Sequence, residues 1–260
     1  MTDTANQQNR VAAQFGPQAE AYVTSAVHSQ GEDLRQIGDW AAARKAQKGL
    51  GRALDMGCGG GHVAFAVAPY AGEVTAYDLS DGMLAAVAAA ARERGLANVV
   101  TRQGAVETLP FPDASFDMVL SRYSAHHWRG FDAALAEARR VLKPGGLAVF
   151  ADIFAPDDAL CDTWLQGIEL LRDPSHQRDY SQKEWRAALE RAGFKPGQPT
   201  TSRLRLDYAS WIARMKTPAV QADAIKALWA VAPSEVRDYL ALEADGSFTI
   251  DSMIMEAWPA

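Results

Sequence analysis

The chain has 260 residues, 48% hydrophobic and 22% charged, the make-up of an ordinary globular protein with a core that needs no metal or disulfide to hold it. Its 26 Lys and Arg against 32 Asp and Glu leave a net charge of −6, which argues against a surface built to grip nucleic acid or anionic membrane. Two cysteines, Cys58 and Cys161, exclude a disulfide framework and a four-cysteine zinc site.

The predicted elements begin with a polar start and helical periodicity over 11–48, broken at Gly16-Pro17. A second helix spans about 31–46, with Leu34, Ile37, Ala41 and Ala42 on one face. Strand and helix signals then alternate: strand 52–56, helix 62–69, strand 73–77, helix 82–94, strand 99–103, strand 116–121, helix 131–142, strand 147–154. Asp81 reads as an N-cap and Gly95 as a C-terminal stop. Lys143-Pro144-Gly145-Gly146 reads as a break. After residue 154 the alternation lapses. A helix opens at Ser181, a strand-like alternation covers 203–208, the span 207–242 is mainly helical, and 247–254 is a final strand. Regular alternation of this kind predicts βαβ units and a parallel sheet. The expected fold is α/β: a Rossmann-like, doubly wound, mostly parallel sheet of seven strands, with a helical N-terminal cap and a helical insert. One domain is expected, with the cap at 1–49, a cofactor-binding core at 50–154 and an acceptor-side region at 155–260. The start lacks the apolar core of a signal peptide, and the longest apolar run, 83–91, is too short to span a bilayer, so a cytoplasmic protein is expected.

The strongest chemical signal is Leu54-Asp55-Met56-Gly57-Cys58-Gly59-Gly60-Gly61. A strand ending in a glycine turn and opening a helix lets backbone approach a nucleotide-like ligand. The next strand ends at Asp78, an acid placed to accept from a ribose diol. The dinucleotide fingerprint wants a third glycine where this chain has His62, which disfavours a nicotinamide-dependent oxidoreductase. Asp55 beside the turn would repel a pyrophosphate and suit a cationic ligand.

At these residues the chain resembles the class I S-adenosylmethionine-dependent methyltransferases, most of all the small-molecule branch that includes the ubiquinone and menaquinone C-methyltransferases. Three further segments match in order: Gly104-Ala105-Val106-Glu107-Thr108-Leu109-Pro110-Phe111, Asp113-Ala114-Ser115-Phe116-Asp117-Met118-Val119, and Glu137 through Gly146. The resemblance implies a methyl transfer from S-adenosylmethionine to a small-molecule acceptor. It implies cofactor-binding roles for Tyr22, Asp55, Gly57, Cys58, Gly59, Gly61, Asp78, Leu79, Met83, Ala105, Val106, Glu107 and Ser121, with Gly57, Gly59 and Gly61 cradling the methionine portion, Asp78 holding the ribose, and Leu79 and Met83 flanking the adenine. Family members often carry Asp at the position of Ala105; its loss removes one hydrogen bond, about 1 kcal/mol.

The strand ends at Gly57, Asp78, Gly104, Ser121 and Asp152 converge on one sheet edge, where open parallel sheets bind ligands. His126 and His127, after the fourth strand, are the candidate catalytic residues, either as a general base or as a support for the cofactor. Arg122 could meet an acidic acceptor, a cofactor carboxylate or a surface acid. Tyr22, Phe15 and His28 belong to the cap. His62 and His176 receive no role, and no cluster has metal-ligand spacing. Trp164, Trp185, Trp211 and Trp229 are either pocket or core. Partners beyond a small-molecule acceptor are not expected, nucleic acid included, and monomer and homodimer stay open. Two other readings share the fold: a non-catalytic S-adenosylmethionine-binding regulator and an RNA or protein methyltransferase. The acidic charge and the loop Ser121-Arg122-Tyr123-Ser124 weigh against RNA.

Overall fold

The computed structural model describes residues 6–15 and 31–260. Tyr22 and His28 lie outside the described residues. The described helices are α1 (Gln7–Phe15), α2 (Glu32–Lys48), α3 (His62–Val67), α4 (Asp81–Glu93), α5 (Phe131–Val141), α6 (Ala159–Arg172), α7 (Gln182–Arg191), α8 (Tyr208–Met215), α9 (Ala219–Val231) and α10 (Ser234–Tyr239). The strands are β1 (Arg52–Met56), β2 (Glu73–Asp78), β3 (Val99–Gln103), β4 (Phe116–Arg122), β5 (Leu142–Ile153), β6 (Phe194–Pro196), β7 (Thr200–Leu206) and β8 (Phe248–Pro259). They form a single sheet in the order β3-β2-β1-β4-β5-β8-β6, with β7 also paired to β8. The first five run parallel to one another; β8 runs antiparallel to β5, β6 and β7.

The parallel part is covered on both faces, as its apolar strands require. Leu54, Met56, Phe116 and Phe150 point toward α5 and α7, where they meet Phe131, Leu135 and Trp185. Ala53, Met118, Leu120 and Val149 point the other way, onto Ile37, Ala41, Val63 and Val87 of α2, α3 and α4. The period of two sorts them. A third core forms where α6, α8, α9 and α10 meet β7 and β8, around Leu165, Ile168, Trp211, Trp229 and Phe248. Trp185, Trp211 and Trp229 are therefore core, and Trp164 packs half-buried against the same helices.

Two expectations need correction. The sheet has eight strands, not seven, because Phe194–Pro196 adds the short β6. A three-residue strand ending in Pro, right after Gly193, has the composition of a turn, and proline is tolerated there because it sits at a sheet edge. Lys143-Pro144-Gly145-Gly146 also does not separate helix from strand. Leu142 already pairs with Phe116, and the ladder resumes at Met118 with Leu147 after a register shift. Gly145 takes φ +70 and the four residues become a bulge inside β5.

Candidate functional site

The glycine turn is built by β1 and β2 together. Gly57 and Cys58 both donate their backbone N–H to the Tyr77 carbonyl, at 2.8 and 3.0 Å. Gly57 adopts φ +66, and a Cβ there would collide with the Ser124 hydroxyl, which itself accepts from Trp128 Nε1 at 3.1 Å. Gly57→Ala is accordingly expected to destabilise the fold by about 1–3 kcal/mol, read as a lower Tm. Gly59 also has positive φ, yet a Cβ there would meet nothing within 4 Å. The turn thus presents bare backbone toward open space. Gly61 differs. It caps α3 at φ +76, and a side chain there would strike Val87 and Phe65, so its absent side chain serves helix packing.

Asp78 ties the two strand ends together. Its carboxylate accepts from Gly59 N and Ser80 N, both at 2.9 Å. Burial raises its pKa against the lowering effect of those bonds. Asp55 is 1% exposed and accepts from Ala64 N at 3.0 Å, inside the first turn of α3. Burial pushes it up to about 7.

A cavity of about 320 Å³ opens along this edge. Gly57, Gly59, Asp78, Leu79, Met83, Val106 and Glu107 line one part of it, and His126 and His127 line another. Five sequence-predicted cofactor residues are not on its wall. Asp55 is turned to α3. Cys58 is buried, with its thiol pushed well above its ordinary value by burial, so it remains a neutral filler. Gly61 packs α3. Ala105 offers its carbonyl to the Tyr77 hydroxyl at 3.2 Å. Ser121 is buried, and its hydroxyl has no partner among the described residues. Arg122 forms a two-pronged pair with Asp33, at 2.5 and 3.1 Å, pinning the end of β4 to the start of α2.

The histidines occupy different electrostatic settings. His126 Nδ1 lies 2.6 Å from Asp152 Oδ1, while Asp152 Oδ2 accepts from Ala125 N at 2.9 Å. Burial works against the imidazolium, but the Asp152 carboxylate outweighs it and lifts His126 to about 9. His127 faces the Ser175 carbonyl at 3.2 Å, and the Phe15 ring meets it edge-to-face with ring centroids 5.1 Å apart. Burial and the neighbouring His126 push it down to about 4. The pair therefore consists of one cation and one neutral ring at pH 7. The far wall comes from the chain after β5: Glu169, Arg172, Asp173, Asp179, Trp211 and Met215. Sequence reasoning missed Asp179 and Glu169, which carry no motif. It placed Asp152 on the edge without its partner, although an acid ending a strand opposite a histidine loop was the available signal.

These shifts fix a pH dependence. His126 is raised above its unfolded value near 6.5, so its contribution is complete below 6.5 and is lost as pH rises through about 9. Asp179 is raised by burial from 3.8 to about 8; the folded state again binds the extra proton, and its contribution is lost as pH rises through 8. Tm is expected to fall between pH 7 and 9. A level or rising Tm across that range would refute both assignments.

Residues 54–150 match the methyltransferase domain family described as Methyltransf_11. A Bacillus subtilis protein, the methyltransferase YcgJ, is 38% identical over 205 residues, 79% of each chain. The chain belongs to the class I S-adenosylmethionine-dependent methyltransferases. The crystal structure of YcgJ superposes on this methyltransferase with a TM-score of 0.82 at 34% identity, covering 86% of this chain and 97% of that one. YafE of Escherichia coli is 46% identical over 200 residues, 77% of this chain and 97% of its own. The demethylmenaquinone methyltransferase of Geobacillus kaustophilus is 39% identical over a shorter stretch of 113 residues, 42% of this chain and 48% of its own. The structural match to YcgJ covers far more of the chain than the glycine turn and the strands beside it. No helix among the described residues is long and apolar enough to cross a membrane.

Proposed function

We infer that this methyltransferase binds S-adenosylmethionine at the Gly57–Gly59–Asp78 edge and methylates a small-molecule acceptor held between that edge and the wall formed by α6 and α8. One observation carries the reading: a single cavity runs from the glycine turn past His126 to Trp211 and Met215. A non-catalytic binder would need only the first part. The fit to the donor rests on Gly59, where backbone faces open space, and on Asp78, which lines the cavity together with the apolar Leu79 and Met83. S-adenosylmethionine supplies a methyl group on a sulfonium, a good leaving group.

The chain's own task is then to position the acceptor and exclude water. α1 covers the cavity: Gln7 donates to the Ser175 carbonyl at 2.6 Å, Gln8 to Glu107 at 3.3 Å and Gln14 to the Met215 carbonyl at 3.1 Å. His126, oriented by Asp152 and protonated at neutral pH, serves as a cationic hydrogen-bond donor to an acceptor oxygen and not as a general base. His127 stays a neutral ring, because burial and the adjacent imidazolium both oppose its protonation. His126→Ala and His127→Ala should therefore depress turnover by different factors. The deciding experiment is calorimetric titration with S-adenosylmethionine, S-adenosylhomocysteine and NAD in parallel. Micromolar binding of the first two and none of NAD is expected; NAD binding alone, or no binding at all, overturns the reading.

A further inference from the structure

We propose that Asp179 recognises the methyl acceptor, taking a hydrogen-bond donor, a hydroxyl or an amine, from a molecule whose remainder is apolar. The proposal rests on the reading of the cavity as a donor-and-acceptor site. Asp179 is 2% exposed and lines the cavity, yet its Oδ2 has no hydrogen-bond partner among the described residues. Every charged or titratable neighbour is already engaged. His126 faces Asp152 at 2.6 Å, Arg172 faces Glu169 at 3.3 Å, and Arg178 faces Asp162 at 3.0 Å. His176 Nε2 bonds Gln166 at 3.0 Å and stays 3.9 Å from Asp179 Oδ2. His127 and Asp173 are satisfied by Ser175: the ring meets its carbonyl, and the carboxylate accepts from its N–H and hydroxyl at 2.8 and 2.6 Å.

A buried polar group left unpaired in an otherwise satisfied cluster calls for an explanation, and sites of binding are where such groups persist. The chemistry of the occupant follows from the surroundings. Four carboxyls, Asp152, Glu169, Asp173 and Asp179, gather at this end with three cations, His126, Arg172 and Arg178, each of which already faces a carboxylate other than Asp179. An anionic head group finds no unpaired cation among these three, whereas an O–H or N–H donor bonded to Oδ2 stabilises the ionised carboxylate that burial alone disfavours. Beyond it, Trp211, Met215, Leu206 and Ile250 face the same cavity and suit an apolar body.

The test uses protein loaded with S-adenosylhomocysteine and three matched probes, para-butylphenol, para-butylaniline and para-butylanisole, with binding read by saturation-transfer NMR. The phenol or the aniline should bind and the anisole, which has no donor, should not. Asp179→Leu should weaken the bound probe by at least about tenfold. Equal response to all three, absence of binding included, overturns the proposal. Thermal unfolding gives an independent arm. Asp173→Asn, which disturbs a carboxylate whose Oδ1 takes two hydrogen bonds from Ser175, should lower Tm, and Asp179→Asn should leave it unchanged or raise it. An equal drop for both would make Asp179 a structural acid. If S-adenosylhomocysteine does not bind at all, the underlying cofactor reading fails, while the Tm comparison still decides the status of Asp179.

Discussion

Asp78→Ala is expected to weaken S-adenosylhomocysteine binding by about 100-fold while leaving the chain folded. Two effects combine. Asp78, which lines the cavity, loses its carboxylate, and with it the charge-assisted bonds it would offer to a ribose diol, each about 1.5–3 kcal/mol at most. The clasp from Gly59 N and Ser80 N is lost as well, so the glycine turn is no longer held to the end of β2. Calorimetry measures the affinity, and circular dichroism checks the fold. Asp78→Asn separates the two effects, because an amide oxygen can keep one backbone bond but carries no charge. Affinity equal to wild type in the alanine variant would remove Asp78 from the cofactor site.

Asp152→Ala is expected to cost about 3–5 kcal/mol of stability, the range for removing one member of a buried charge pair. Asp152 is 2% exposed and serves three donors: His126 Nδ1, Ala125 N and Ile153 N. Its removal leaves all three without that acceptor. The imidazolium loses the charge that holds it near 9, and burial then drives its pKa below the ordinary 6.5. Chemical denaturation measures the loss, and an NMR titration of the His126 ring follows the pKa. The sign also matters for turnover. A neutral His126 no longer presents a cation to the acceptor, so activity should fall even in the fraction that remains folded. A His126 that still titrates near 9 without Asp152 would show that other carboxylates, Asp179 or Glu169, hold the charge.

The parts of the molecule visible from sequence are those with strict periodicity or special backbone. β1, β2 and β4 were legible as buried apolar strands, β3 by its β-branched residues, and the helices between them by amphipathic runs, with Gly57 and Gly104 closing strands and Gly95 closing a helix. The glycine turn and Asp78 stood out because only certain residue types suit those backbone positions and that edge. What escaped were features fixed by tertiary packing. β6 exists because β8 offers it a ladder, and no local propensity marks Phe194-Lys195-Pro196. α6 was hidden behind Pro156 and a mixed composition, although Asp158 caps it by accepting from Cys161 N at 3.0 Å. Gly61 was grouped with the ligand-facing glycines because spacing cannot tell a position that faces open space from one that faces Val87. Asp179 escaped because a carboxyl in a loop has no signature until its neighbours are known.

The antiparallel end of the sheet has a consequence for the fidelity of the cavity wall. β8 is the one strand that joins β6 and β7 to β5. Along it, Met253, Met255 and Ala257 pack toward α5 and α7, while Ile254 packs on the opposite face. Ile250 and Ser252 share the alternation of Ile254 and reach the cavity. A slip of β8 by one residue would exchange these two sets, sending methionines to where Ile250 and Ser252 belong. Such a slip would have to break three ladders together, since β5, β6 and β7 all fix the same register. The acceptor wall is thus protected against misalignment by redundancy, since each neighbouring strand enforces the same alignment.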